Sequence, residues 1–446
     1  MLSFRIVNFP RKIYNRAKSS LFFRNIIVMA SGTALAQIIT FAFSPVVARI
    51  YGPAAFGFFG TFMAVTSIFI PIAALTYPTA IAMPRDDRSA LGLVRLSIII
   101  SIAMALLVAV GLWLGGEWLN KILGTESIAS FMFLIPLVIV FSVCVQVAEQ
   151  WLIRIKGFGV IARSSVFNAL ITNVARTGIG YLHPVGMILI VLNTLAYAFH
   201  AALLFMGTRQ LVARGASKQT ADVYSKDKPN LKELAYRYRA FPLHRAPQIL
   251  LNSISISMPV LMLASFFGST AAGFYTLSSL VIGVPSNIIG KAVGDVFYPR
   301  IIEAARNSED LLHHILSATC VLLAIGILPF GIVMLFGPYL FEFVFGADWI
   351  MAGEYGRWLA LFFLFNFINK PFIAAAPVLG IQQGLLIYEL FSTGAKILAL
   401  MIGFYLINSD ISAIALFAVT GAISYILLML WIYLYSLGWI QNEKTG

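Results

Sequence analysis

About twelve stretches of roughly twenty or more mostly apolar residues follow one another along this 446-residue chain, with only short polar breaks between them. A helix needs about 20 such residues to cross the hydrocarbon core of a bilayer. Inside that core every backbone N–H and C=O must be satisfied within the protein, which leaves helices or closed barrels, and runs of this length select helices. Candidate spans fall near 26–47, 57–83, 91–114, 128–150, 161–181, 185–206, 242–266, 273–297, 311–336, 356–379, 384–407 and 412–436. The fifth is diluted by Asn168, Asn173 and Arg176, and the seventh is punctuated by Pro242, Pro247 and Pro259.

Only 11% of the residues are charged and 60% are apolar, against about 25% charged in soluble domains. The net charge of +13 in a soluble chain would raise nucleic-acid binding. Here the basic residues are dealt out between helices, and no nucleic-acid partner is expected. Cys144 and Cys320 both sit in apolar runs, so neither a disulfide nor a cysteine zinc site is expected, and no metal or cofactor is invoked. The tail 1–25 is basic, with Arg5, Arg11, Lys12, Arg16, Lys18 and Arg24. The apolar run after it is too long for a signal-peptide core and reads as an uncleaved first span.

Lysine and arginine concentrate on cytoplasmic loops. With the N-terminus inside, 24 of the 31 Lys and Arg fall on the inner side, so both termini are expected in the cytoplasm. The longest loop, 207–240, is strongly basic. It reads either as a solvated linker that touches anionic lipid or as a partner-binding loop.

The chain also repeats itself. Pro45-Val46-Val47, Gly52-x4-Gly57-Phe-Phe, Pro71 and Pro84-Arg85 recur as Pro259-Val260-Leu261, Gly268-x4-Gly273-Phe-Tyr, Pro285 and Pro299-Arg300. Six spans per copy return the chain to the same side, so the repeats are parallel, as in transporters that rock two bundles about a central site. The expected architecture is an all-α polytopic membrane protein with about 12 transmembrane helices in two parallel six-helix bundles around a central cavity. Residues 1–206 form the first bundle, 207–240 the linker and 241–446 the second. Each Gly-x4-Gly is expected in a tight outer turn with no ligand role. A fainter echo aligns Val174-Ala175-Arg176 with Gly394-Ala395-Lys396, although the distances from the preceding Gly157 and Gly380 are 19 and 16 residues.

Ionisable groups in hydrocarbon are costly and normally mark a cavity or an internal pair. Arg176 lies within the fifth span, Lys370 beside Asn366 and Asn369 in the tenth, and Lys396 in the eleventh with Glu389 two turns earlier. Glu149, with Gln146 and Gln150, is near the end of the fourth. Two arrangements compete. Lys396 or Lys370 pairs with Glu389 and Arg176 with a neighbour such as Glu149, or these cations line a substrate cavity. Lys291 and Asp295 share a face of the eighth span, near its end, where a lysine snorkels. They and Glu149 serve helix pairing or ion coupling. No Walker loop, H-E-x-x-H or nucleophile elbow is present, so a transporter is expected rather than an enzyme.

The stretch Ala48-Arg49-Ile50-Tyr51-Gly52-Pro53 with Phe56-Gly57, and the second-half stretch Gly273-Phe-Tyr through Pro285 to Phe297-Tyr-Pro-Arg300, resemble the bacterial Wzx-type polysaccharide flippases of the multidrug/oligosaccharidyl-lipid/polysaccharide exporter superfamily. The resemblance implies a bacterial inner-membrane flippase. It implies translocation of an undecaprenyl-diphosphate-linked oligosaccharide unit by alternating access, for O-antigen, capsule or exopolysaccharide assembly. Membrane lipid and the lipid-linked oligosaccharide are then the expected partners, with a coupling ion (proton or sodium) and a polysaccharide polymerase complex left open. The related lipid II flippases carry a similar arginine, which implies a role for Arg49. Arg176, Lys370 and Lys396 rest on burial alone. A cationic cavity suits a diphosphate, and some of the 36 Phe suit sugar faces. The alternatives are an ion-coupled multidrug exporter, which prefers an acidic cavity, and a membrane-embedded O-antigen polymerase or ligase. The latter needs a sizeable outer loop, and the largest here is 337–355.

Overall fold

The computed structural model describes residues 21–84, 86–123, 126–213, 230–306 and 309–445. Most of the basic tail, the middle of the linker and Arg85 fall outside these ranges. Among the described residues all regular structure is helical. Ten helical runs are long and apolar enough to span a bilayer. One of them, Val28–Ile72, contains two spans joined at Gly52, and Ser269–Arg306, whose apolar part is Ser269–Val284, adds another. The expected twelve are therefore α1 (21–51), α2 (53–69), α3 (Asp87–Leu123), α4 (Ile135–Arg154), α5 (Phe158–Leu182), α6 (Gly186–Ala213), α7 (Ala246–Phe267), α8 (Ser269–Arg306), α9 (Leu311–Phe345), α10 (Ile350–Ile368, continued by Lys370–Leu379), α11 (Gln382–Ile402) and α12 (Asp410–Thr445).

Three boundaries differ from the sequence expectation, each for a backbone reason. No loop separates the first two spans: helix runs up to Tyr51, turns at Gly52 alone (φ 70°, ψ 173°) and resumes at Pro53. Only glycine adopts those angles readily, and a proline at the first helical position gives up an N–H that has no partner there anyway. The second span is also shorter than expected. Its regular helix stops at Phe69, before Pro71, and residues 70–80 fold into short 3-10 turns with Leu75 and Thr76 at positive φ. Ala73, Ala74, Ala80 and Ile81 bury this stretch in the protein, which is how irregular backbone survives at membrane depth. The expected loop 337–355 does not exist. Helix α9 continues to Phe345, and Gly346 (φ 103°) and a single 3-10 turn, Ala347–Trp349, lead straight into α10.

In the first half the α1–α2 run packs on α5, with α3 on α4 and α6 on both α4 and α5. In the second half α10 is central, against α8, α9 and α12, and α11 pairs with α12. The halves meet where α1 and α2 cross α7 and α8.

The repeated glycines explain this crossing, and correct the expectation that both members of each pair shape a turn. The first of each pair does so: Gly268 (φ 86°, ψ 174°) nearly duplicates Gly52. The second lies inside its helix, on the seam between the halves. A methyl group on Gly57 would overlap the Ser269 carbonyl, and one on Gly273 would overlap the Pro53 carbonyl. Backbone therefore rests on backbone, reciprocally, where α2 and α8 begin. Trp349 seals the same end, packing edge-on against Phe56 and Phe274 and donating its indole N–H to the Ala48 carbonyl at 3.2 Å.

Overpacking a tight contact costs about 1–3 kcal/mol. Gly57→Ala and Gly273→Ala are therefore expected to populate a form parted at this end. Distances between spin labels on α2 and α8 should lengthen relative to the parent, whereas Gly111→Ala, with open space around it, should leave them unchanged.

Candidate functional site

Three helices of the first half turn a polar face toward one another. On α5, Ser165, Asn168, Thr172 and Arg176 recur every three to four residues and so share a face. Asn193, Tyr197 and His200 do the same on α6, and Thr33, Gln37 and Thr40 on α1. With Leu280 and Val284 of α8 they enclose a cavity of about 450 Å³, within the usual range of about 300–1,000 Å³ for small-molecule sites. Among the described residues no Asp or Glu is on its wall.

Arg176 sits at the end of the cavity nearest the Gly52 turn. Its main-chain carbonyl accepts the Tyr51 hydroxyl at 2.9 Å, its guanidinium lies over the Phe59 ring at 5.1 Å, and one terminal nitrogen donates to Asn193 Oδ1 at 3.2 Å. Its Nε is buried with no hydrogen-bond partner, as are Asn168 Oδ1 and His200 Nε2 in the same wall. Leaving a buried polar atom unpaired costs about 1–3 kcal/mol. Three such atoms around one cavity leave hydrogen-bonding capacity unmet there, a donor on Arg176 and an acceptor on Asn168 among it.

The other candidates lie elsewhere. Arg176 forms no ion pair with Glu149 or any other acid among the described residues. Glu149 belongs to α4 and is not on the cavity wall. Lys396 is 7% exposed and donates to Ser255 Oγ of α7 at 3.1 Å, beside the Thr393 hydroxyl on the same oxygen. Glu389 is half-buried on α11 and makes no ion pair with Lys396 or Lys370. Lys370 opens the second segment of α10 next to Asn369, which is fully buried with both amide atoms unpaired. Lys291 and Asp295 are on the helical backbone of α8, and their side chains are outside the described residues.

Lys396 also revises the internal alignment. Asn173 of α5 donates to Thr40 of α1 at 3.2 Å, as Lys396 of α11 donates to Ser255 of α7. Each follows its glycine, Gly157 or Gly380, by 16 residues. The counterpart of Lys396 is therefore Asn173, and Arg176 lies one helical turn further on, with no cationic partner in the repeat.

Arg49 is at the seam, not on the cavity wall. From the end of α1 it reaches the last turn of α9, donating Nε to the Val344 carbonyl at 3.2 Å and a terminal nitrogen to the Phe343 carbonyl at 2.9 Å. Those carbonyls lack intrahelical partners and carry the negative end of the helix dipole. The residue that sequence reasoning passed over is His200, a lone histidine in an apolar span. Its spacing from Asn193 and Tyr197 was the signal available.

Residues 46–354 match the polysaccharide biosynthesis protein family, which is more than half of the chain. The chain belongs to that family. The succinoglycan biosynthesis transport protein ExoT of Rhizobium meliloti is 23% identical over 349 residues, 77% of this chain and 66% of that protein, just under two thirds of its length. Among solved structures, an inward-facing multidrug resistance MATE family transporter of the MOP superfamily superposes with a TM-score of 0.72 at 17% identity, covering 94% of this chain and 99% of that one. The lipid II flippase MurJ in an inward closed conformation gives 0.67 at 13% identity, covering 93% and 92%. Family and fold thus describe a multi-pass membrane protein of polysaccharide biosynthesis built on a transporter fold.

A hydrogen bond to a charged donor contributes about 1.5–3 kcal/mol, less where solvent competes. Arg49→Ala is expected to move the seam roughly tenfold toward the parted form, and Arg49→Lys, a single-point donor, by less. An unaltered distribution of label distances across the seam in Arg49→Ala would place the closure elsewhere.

Proposed function

We propose that this protein is a flippase that carries an undecaprenyl-diphosphate-linked oligosaccharide from the cytoplasmic to the periplasmic leaflet of a bacterial inner membrane. The observation that carries this is Arg176: a buried guanidinium with no acidic partner among the described residues and one nitrogen still unpaired, on the wall of a cavity that contains no carboxylate. A diphosphate replaces its lost hydration with charge-assisted bonds. The neutral polar faces of α1 and α5, extending from Arg176 toward Thr33 and Ser165, suit sugar hydroxyls. The polyprenyl tail stays in lipid. A small organic cation of the multidrug type would find no acid on this wall.

The positive-inside count puts the linker in the cytoplasm and the Gly52 and Gly268 turns on the periplasmic face. On that assignment the seam closes the periplasmic side while the cavity lies on its cytoplasmic side, a loading state. The inward states of the two structural neighbours fit it. Parting the Gly57 and Gly273 contacts would then release the cargo outward.

Reconstituted in vesicles, Arg176→Ala is expected to lower translocation of a polyprenyl-diphosphate-linked oligosaccharide at least about tenfold, and Arg176→Lys by less. Parental rates in Arg176→Ala would reject the assignment. Labelling of a cysteine placed in 214–229 by an impermeant reagent added to intact cells would reverse the orientation.

A further inference from the structure

The cavity holds a third ionisable group besides Arg176 and Tyr197, and no described residue bonds its Nε2. His200 lines the wall, and its Nε2 is buried with no hydrogen-bond partner. It lies seven residues beyond Asn193, the residue that holds Arg176, or about 10 Å further along α6. That spacing leaves room for a diphosphate between the guanidinium and the imidazole.

The surroundings show what the imidazole can answer to. The wall residues of α1 and α8 include no ionisable group, α5 contributes only Arg176, and α6 itself adds only Tyr197. Of the other elements against α6, α2 has no ionisable residue. Helix α4 carries Cys144, Glu149 and Arg154, none on the wall, with Arg154 bound to Asp87 at 2.8 Å. The segment Glu126–Leu134 has one acid, Glu126. Among the described residues no anion faces the imidazole inside the cavity, which leaves that place to a bound one.

We propose that His200 is a second, titratable contact for the anionic headgroup, so that binding in this cavity takes up a proton and strengthens as pH falls. This rests on the assignment of the cavity to a diphosphate. Histidine is the side chain that ordinarily changes charge between about pH 5 and 8. An anion that binds the imidazolium more tightly than the imidazole must, by linkage, draw a proton onto it. The neutral ring still donates one hydrogen bond, while the charged ring adds an ionic attraction in a site with little water.

The test uses the purified full-length protein in lipid nanodiscs and polyprenyl-diphosphate-N-acetylglucosamine as the probe. Its diphosphate is esterified at both ends and has no proton that titrates over the range used. The parent is expected to bind at least about fivefold more tightly near pH 5.5 than near pH 8. His200→Gln should bind at about the parent's pH 8 level throughout. Calorimetry of the parent in two buffers of different ionisation enthalpy should show proton uptake near neutral pH, which does not depend on the variant folding. Binding by the parent that ignores pH, or a pH dependence that survives His200→Gln, would overturn the proposal. Arg176→Gln separates the two levels. Loss of its binding at every pH supports the cavity assignment whatever His200 does, whereas parental binding by Arg176→Gln would remove that assignment itself.

Discussion

The whole assembly hangs on a place where no side chain fits. Where α2 and α8 begin, Gly57 lies on the Ser269 carbonyl and Gly273 on the Pro53 carbonyl, so the two halves touch main chain to main chain. In hydrocarbon there is no hydrophobic force to hold helices together, and close approach of small residues takes its place. The contact is short along the helices and sits at one end of the molecule, next to Gly52 and Gly268, whose backbone angles turn one helix into the next. The halves stay in touch further along, where the Ser67 and Ser257 hydroxyls of α2 and α7 lie 3.0 Å apart, and the cavity opens beside that line, among α1, α5, α6 and α8.

That space is not shared evenly. In the first half, Arg176 keeps a nitrogen unpaired beside a cavity, and in the second the buried cation Lys396 is taken up by Ser255 as part of the α7–α11 contact. Duplication supplied two equivalent helices, and the position at which they correspond holds Asn173 in one and Lys396 in the other. The guanidinium at position 176 is an addition to one copy only. A parallel repeat therefore yields a cavity whose arginine stands at one end only.

Much of this was legible in the chain. Twelve apolar runs, the duplicated Gly-x4-Gly and the unbalanced Arg176 survive in the structure because membrane depth, backbone angle and charge burial act locally. What was lost was whatever depended on a neighbour. Hydropathy carried the second span on to residue 83, because it registers apolarity and not the Pro71 break. It also made a loop of 337–355, whose helical course is set by packing of Gly337 on Gly353. The one-turn shift between Arg176 and Lys396 becomes visible only when Thr40 and Ser255 are seen as the anchors of Asn173 and Lys396, and Arg49 turns out to meet carbonyls almost three hundred residues away.

Those carbonyls carry a consequence of their own. Arg49 grips α9 through the main chain of Phe343 and Val344, so the side chains at those two positions contribute nothing to being recognised. Phe343, largely exposed, is free to drift so long as a helix ends at Gly346, whereas Val344 is held separately by the apolar cluster it packs against. Because a carbonyl has no proton to gain or lose, neither acceptor in this contact changes with pH.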